Sequence, residues 1–88
     1  MKITFDPKKA ASNFRKNGVR FSDAESVLFD PIALTREDED AEGEQRFVSI
    51  GTDATGTILV VVFTDRCEEV RLISARRARA KERAYYEG

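Results

Sequence analysis

The chemically richest stretch of this chain is its C-terminal run, VRLISARRARAKERAYY, from Val70 to Tyr86. Between Arg71 and Arg83 it carries six basic side chains, Arg71, Arg76, Arg77, Arg79, Lys81 and Arg83, against one acid, Glu82, and it closes on Tyr85 and Tyr86. Guanidinium groups present planar forks of donors that match phosphate oxygens. A carboxylate can accept a proton, and a phenol can donate one or stack on a nucleobase. Val70–Ile73 has strand chemistry, and the run from Ser74–Ala75 onward reads as a helix. On that helix Arg76, Arg79, Arg83 and Tyr86 share one stripe, at i, i+3, i+7 and i+10, beside Ala75, Ala78, Glu82 and Tyr85 on the next. Such a set can grip a phosphate backbone and move a proton. The plain alternative is a solvated basic helix with Glu82 in a surface ion pair with Arg79 or Arg83.

The rest of the composition narrows what chemistry remains. The 88 residues contain no histidine, which removes Ser-His-Asp and Cys-His catalysis and any ordinary zinc site. Cys67 is the single cysteine, so no internal disulfide forms, and a nucleophilic thiol would lack an activating base. The length suits one domain, spanning 1–88, with a modest core. The formal net charge of −1 hides an asymmetry: residues 1–44 hold seven basic and ten acidic side chains, residues 45–88 eight and six. The neutral total therefore does not argue against an anionic partner. No apolar run approaches a membrane span and the N-terminus lacks a signal-peptide core, so the expected location is cytoplasmic, with no membrane association.

The elements that must position these groups follow in order. Lys2–Phe5 can form a short strand. Asp6-Pro7 starts a helix as N-cap and first helical residue, Ala10, Ala11 and Phe14 give it an apolar stripe, and Gly18 stops it. Ser22 and Glu25 read as the capping box of a second short helix presenting Ala24, Val27 and Leu28, which Asp30-Pro31 ends. Residues 32–36 can be a strand. The acid run 37–44, with six carboxylates, reads as a solvated loop, and its spacing fits no calcium loop. Strand 46–50 stops at Gly51, and Ile58–Phe63 is apolar at every position, the pattern of a central strand buried on both faces. Asp65–Glu68 then turns the chain into strand 69–74. The sum is an α+β fold: an antiparallel sheet with two N-terminal helices and a C-terminal basic helix.

The ordered series FDPKKAASNFRKNGVRFSDA, DPIALTREDED, GEQRFVSIG, ILVVVFTDR and VRLISARRARAKERAYYE resembles the BrnT family of toxins nearly end to end. Its most specific parts are D-P-x-K at Asp6–Lys9 and R-x-I-S-A-R-R-A at Arg71–Ala78. The resemblance implies a RelE-like fold and a bacterial stress-response toxin of a type II toxin–antitoxin pair, which cuts RNA and inhibits translation. It also implies a partner, a BrnA-type DNA-binding antitoxin, in a heterotetramer or similar complex. Family members commonly carry histidine where this chain has Asn17, in Lys16-Asn17-Gly18-Val19. Asparagine cannot titrate near neutrality, and at a helix end a structural role is the expected one.

A ribonuclease that uses no metal or other cofactor must stabilise charge on phosphorus, take a proton from a ribose 2′-OH and protonate the leaving oxygen. The candidate catalytic residues are Arg71 and Arg76 for charge, Glu82 as base and Tyr86 as acid. Candidate RNA-binding residues are Arg46, Arg79, Arg83, Lys8, Lys9 and Tyr85, the last by stacking. Glu82 and Tyr86, four apart, also make an ordinary helix contact, Tyr85 can instead pack the terminal helix, and Lys8 and Lys9 can face water. Two other functions stay open: an RNA- or ribosome-binding module that does not cut, and a degenerate toxin kept as an antitoxin partner.

Overall fold

The fold is organised by its apolar strand. In the computed structural model, which describes residues 2–88, Ile58–Arg66 (β4) lies at the centre of a five-stranded sheet. Its neighbours are Arg46–Thr52 (β3) and Glu69–Arg77 (β5). The edges are Leu34–Asp38 (β2) beside β3 and Lys2–Thr4 (β1) beside β5. Strands β2 to β5 form an antiparallel meander, but β1 runs parallel to β5, so the sheet is mixed and not the purely antiparallel one expected. The parallel pairing has a simple cause. The chain from β1 crosses through the helices and the whole meander before β5 returns in β1's direction.

One sheet face is covered by helices. Pro7–Asn17 (α1) begins as expected, with Asp6 accepting from the Lys8 amide at 2.8 Å, and ends at Gly18 in the left-handed region, φ 70°. A short helix, Phe21–Ala24 (α2), runs straight into a 3-10 turn, Glu25–Phe29. Phe21, Ala24 and Val27 from this segment pack on Leu59, Val61, Phe63, Val70, Leu72 and Ala75 of the sheet. Phe5 meets Phe21 edge to face, with ring centroids 5.4 Å apart. The close approach of the 3-10 turn requires Gly51: a methyl there would lie 3.0 Å from Val27 and 3.1 Å from Asp30. The expected Ser22–Glu25 capping box does not form. The helix starts one residue earlier, with Arg20 at the N-cap, because burying Phe21 draws it into the first turn.

Of the expected α1 stripe, Ala10 packs against the core but Ala11 and Phe14 do not. Phe14 is 44% exposed, with the Arg20 guanidinium over its ring, and Ala11 faces water. The residue turned inward is Asn13, 7% exposed. Its Oδ1 accepts from the Ala75 amide at 3.0 Å, and its Nδ2 donates to the Ala75 carbonyl at 2.9 Å and the Val19 carbonyl at 3.0 Å. β1 pairs with β5 only over Glu69–Arg71, so the Asn13 amide supplies the partners a longer edge strand would have given Ala75. Asn17 adds bonds to Asn13 Oδ1 and the Ala75 carbonyl, at 3.0 and 3.1 Å. Asn17 is thus engaged in holding α1 to the sheet, the structural role expected at this helix end.

The largest departure lies in the C-terminal run. β5 continues to Arg77, Ala78 extends the ladder through its amide to the Ile58 carbonyl at 3.0 Å, and the helix Ala80–Glu87 (α3) starts only then. The four-residue stripe Arg76, Arg79, Arg83 and Tyr86 therefore does not exist: Arg76 is on a strand and Arg79 is the N-cap. Nor is α3 a basic helix, since Lys81 and Arg83 are balanced by Glu82 and Glu87. A bulge explains the misreading. The β4–β5 register slips between Val62 and Phe63, so that Leu72 and Ala75 both face the core. Apolar positions three apart then imitate helical spacing on a strand. No helix among the described residues is long and apolar enough to cross a membrane.

Candidate functional site

The second face of the sheet is where the candidate groups meet. Residues opposite each other in the register share a face, which gives three cross-strand rows. The first runs Arg76, Val60, Ile50, Leu34, and the second Ser74, Val62, Val48, Arg36. In the third, Arg71 lies opposite Thr64 on β4, and Arg46 lies opposite Asp38 on β3 and β2. Alternate inward and outward positions on β4 put the β-branched floor of this face directly behind the core. α3 covers only one end of it and buries none of its own residues. Between α3 and the sheet lies a cleft of about 430 Å3 including its open mouth, lined by Leu34, Thr35, Arg36, Val48, Ile50, Val60, Arg76, Glu82 and Tyr85.

The cleft's polar wall is an arginine–carboxylate clamp. Arg76 Nη1 and Nη2 donate to Glu82 Oε1 and Oε2 at 2.7 and 2.8 Å, a bidentate pair with side chains 33% and 26% exposed. The Arg79 amide donates to the same Oε1 at 2.8 Å. The Arg76 guanidinium, seconded by that amide and opposed by partial burial, draws the Glu82 carboxyl from 4.5 down to about 2. Glu82 in turn raises Arg76 above the ordinary guanidinium range. Glu82 is therefore fully ionised at neutral pH, and in this arrangement a weak base. Tyr85, 67% exposed, stands on the lip of the cleft with its ring open to solvent.

Tyr86 belongs to a different cluster. Its hydroxyl contacts Thr52 Oγ1 at 2.6 Å and donates to Asp30 Oδ2. Asp30 also accepts from the Thr52 and Ile32 amides, at 2.9 and 3.0 Å. The Tyr86 contact is the main cause that holds Asp30 below its ordinary range, and Asp30 pushes Tyr86 up. The phenol keeps its proton more firmly than a free tyrosine, so acting as an acid would first require release of this contact. In the arrangement shown, the cluster ties the end of α3 to β3 and the loop before β2.

The remaining candidates are dispersed. Arg71 and Arg46 lie in the third row, without an ion pair among the described residues, near the Arg66–Glu44 pair. Between them Thr64, 1% exposed, keeps its Oγ1 buried without a partner among the described residues. Arg79 is exposed beside the clamp, and Arg83 caps the Ala78 carbonyl at 2.9 Å. Lys8 and Lys9 are exposed on α1, in the helical layer behind the sheet, and are not brought to the cleft. Sequence reasoning missed Arg36, Asp30, Thr52 and Thr64. Alternation along residues 34–38 could have flagged Arg36, whereas Asp30 and Thr52 become visible only once α3 is placed.

Comparison with known proteins agrees with this architecture. No curated protein matches the chain. Among solved structures it is similar to the Brucella abortus ribonuclease toxin BrnT, with a TM-score of 0.72 and 28% identity over 90% of this chain and 97% of that one. The family model described as "Ribonuclease toxin, BrnT, of type II toxin-antitoxin system" matches residues 5–82. That span takes in strands β2 to β5, together with Arg76 and Glu82, and leaves out β1. The chain belongs to the BrnT family of ribonuclease toxins, whose type II systems pair each toxin with an antitoxin.

Proposed function

We propose that this protein is an endoribonuclease toxin that cuts RNA without a metal ion and thereby inhibits translation, and that a BrnA-type DNA-binding antitoxin silences it. A kinship to the RelE class of ribonucleases is part of this reading. The observation that carries it is the cleft itself: an apolar floor, an exposed aromatic lip at Tyr85 and an arginine–carboxylate clamp, in a chain of a ribonuclease toxin family. A single-stranded base can stack on Tyr85 while its phosphodiester reaches Arg76. Arg36, Arg46 and Arg71 extend a positive track along the open face for neighbouring phosphates. Charge stabilisation by preorganised guanidinium groups is the largest catalytic contribution in such a site, and it needs no Lewis acid. Glu82 is the group placed to take the 2′-OH proton. Tyr86 acts as acid if it is freed from Asp30, and otherwise positions α3.

The test is incubation of the purified protein with a defined RNA in EDTA, beside Arg76→Ala and Glu82→Gln. Cleavage by the wild type and not by the variants is the expected result. A wild type that arrests growth on expression but never yields a cut product would overturn the direct-nuclease reading. A second reading has its own observation in favour. Glu82 held at about 2 by Arg76 suits a structural ion pair, and with it a module that binds RNA or the ribosome without cutting. Binding that survives Glu82→Gln, with no cleavage by any form, is what that reading expects. Co-expression with a neighbouring DNA-binding protein should abolish growth arrest if that protein is the antitoxin. An acidic or apolar surface on it would complement the arginines of the open face.

A further inference from the structure

We infer that the Glu82 carboxylate occupies the site's own phosphate position, so that RNA binds by exchanging a phosphodiester for Glu82 on Arg76. This rests on the ribonuclease reading and specifies how that site is regulated. The Arg76 fork is filled from one side by both Glu82 oxygens, at 2.7 and 2.8 Å, and Arg76 Nη1 also reaches the Arg77 carbonyl at 3.3 Å. Three of the guanidinium's five N–H donors are engaged in this way, and its Nη1–Nη2 fork is closed to a phosphate for as long as Glu82 holds it. A carboxylate and a phosphodiester both offer two oxygens to such a fork, so one can replace the other without moving the arginine.

The surroundings favour exchange over a permanent lock. Both partners are partly exposed, at 33% and 26%, and they line an open cleft with the exposed Tyr85 beside them. α3, which carries Glu82, contributes no buried residue, so the carboxylate is not held in place by core packing. When Glu82 leaves Arg76 it keeps its bond from the Arg79 amide, and the helix remains capped. The displaced carboxylate then lies beside the phosphodiester that replaced it. Freed of the guanidinium, it loses the main cause of its lowered pKa and becomes a stronger base. Binding of the substrate thus prepares the base, and the empty enzyme holds its arginine neutralised.

The experiment measures the affinity of the full chain for a 2′-O-methyl oligoribonucleotide, which offers the phosphodiester without the attacking hydroxyl. Glu82→Gln is nearly isosteric and can still accept from the Arg79 amide. Glu87→Gln removes one charge from an exposed position on the same helix, which controls for the net-charge change. The expected result is that Glu82→Gln binds about tenfold more tightly than wild type, that Glu87→Gln changes affinity by less than about twofold, and that Arg76→Ala added to Glu82→Gln erases the gain. Equal effects of the two glutamine substitutions, or a gain that survives loss of Arg76, would overturn the exchange. Cleavage of unmodified RNA, run in parallel, separates the two ideas. A wild type that cleaves while Glu82→Gln binds no tighter defeats the exchange alone. Tightening that depends on Arg76, with no cleavage by the wild type, defeats the ribonuclease reading and leaves the exchange standing.

Discussion

The two faces of the β-sheet follow different rules. On the helical face the side chains are apolar and enclosed: Leu59, Val61, Leu72 and Ala75 are each at most 1% exposed. The polar groups admitted there are satisfied: Asn13 has its amide oxygen and nitrogen bonded to the backbone, and the Ser49 hydroxyl pairs with that of Thr35 at 2.6 Å. On the open face half-buried Val48 and Ile50 stand beside buried Val60, arginines are prominent among the polar groups, and the helix above contributes no buried residue. The core is concentrated on the first face and the candidate site on the second. In a domain this small the separation has a physical basis, since a core with little surplus cannot also accommodate unpaired guanidinium groups.

Substitutions should therefore divide by face, and the sharpest break is between Arg76 and Leu72. Arg76→Ala is expected to lower RNA cleavage by about 10²–10³-fold while changing unfolding free energy by no more than about 1 kcal/mol, since its ion pair is partly exposed. Leu72→Ala should do the reverse. It creates a cavity at a position 0% exposed and costs about 2–5 kcal/mol, and the fraction that remains folded should retain its activity. Denaturant melts beside a cleavage assay measure both. An Arg76→Ala protein that loses stability as heavily as Leu72→Ala would dissolve the division.

Asn13→Ala tests the polar side of the structural face. It strands the Ala75 amide and the Val19 carbonyl and leaves the Ala75 carbonyl to Asn17, and the expected loss is about 2–3 kcal/mol. Chemical denaturation checks it, and a loss below about 1 kcal/mol would show that water or Asn17 takes over these bonds. Asn17→His asks the matching question at the neighbouring position. The structure assigns the Asn17 amide a fastening role, so the substitution is expected to alter stability before it alters chemistry.

How far these faces were legible in the sequence depends on what each one is made of. The unbroken run Ile58–Phe63 declared the central strand, because only a strand covered on both sides can be apolar at every position. Asp6, Pro7 and Gly18 marked the ends of α1 by local backbone chemistry. The misreadings came where tertiary pairing overrode local preference. Ser74–Arg77 has helix-forming composition, yet it is recruited by β4, and the bulge that spaces Leu72 and Ala75 three apart disguised the strand period. Asn13 was invisible as a core residue because a polar side chain is buried only when partners exist, and its partner is 62 residues away. At the candidate site, Arg76 and Glu82 were recognisable as groups able to do chemistry. Their bidentate pairing follows from the strand-to-helix turn at Ala78–Arg79, which local propensity did not reveal.

Acidification offers a smaller test, on the open face. Glu82's carboxyl is depressed in the folded protein, from 4.5 to about 2, so its contribution to stability is fully present above about 4.5. It is lost progressively as pH falls through that range toward 2. Asp30, also depressed by its Tyr86 contact, acts in the same direction. Given the pair's partial exposure, the Glu82 contribution should be about 1 kcal/mol. Melts of Glu82→Gln should accordingly depend less on pH between about 4.5 and 2 than those of the wild type. Identical acid profiles would mean that the pair contributes nothing net, and that α3 is held by Tyr86 and its neighbours.

The smallest effect has the opposite sign. Thr64 lies on the open face, 1% exposed, with a hydroxyl that meets no partner among the described residues. A buried unpaired hydroxyl is unfavourable, and valine has nearly the same shape with a methyl in its place. Thr64→Val should therefore stabilise the protein by about 1 kcal/mol, measured as a raised denaturation midpoint with an unchanged slope. This single stabilising change belongs on the face that carries the arginines, since among the described residues the helical face leaves no such group unsatisfied. A midpoint that falls instead would mean that the hydroxyl is bonded in solution, by water or by the Arg46 or Arg71 guanidinium beside it. Polar satisfaction would then be as complete on the open face as on the closed one, and the two faces would differ in packing alone.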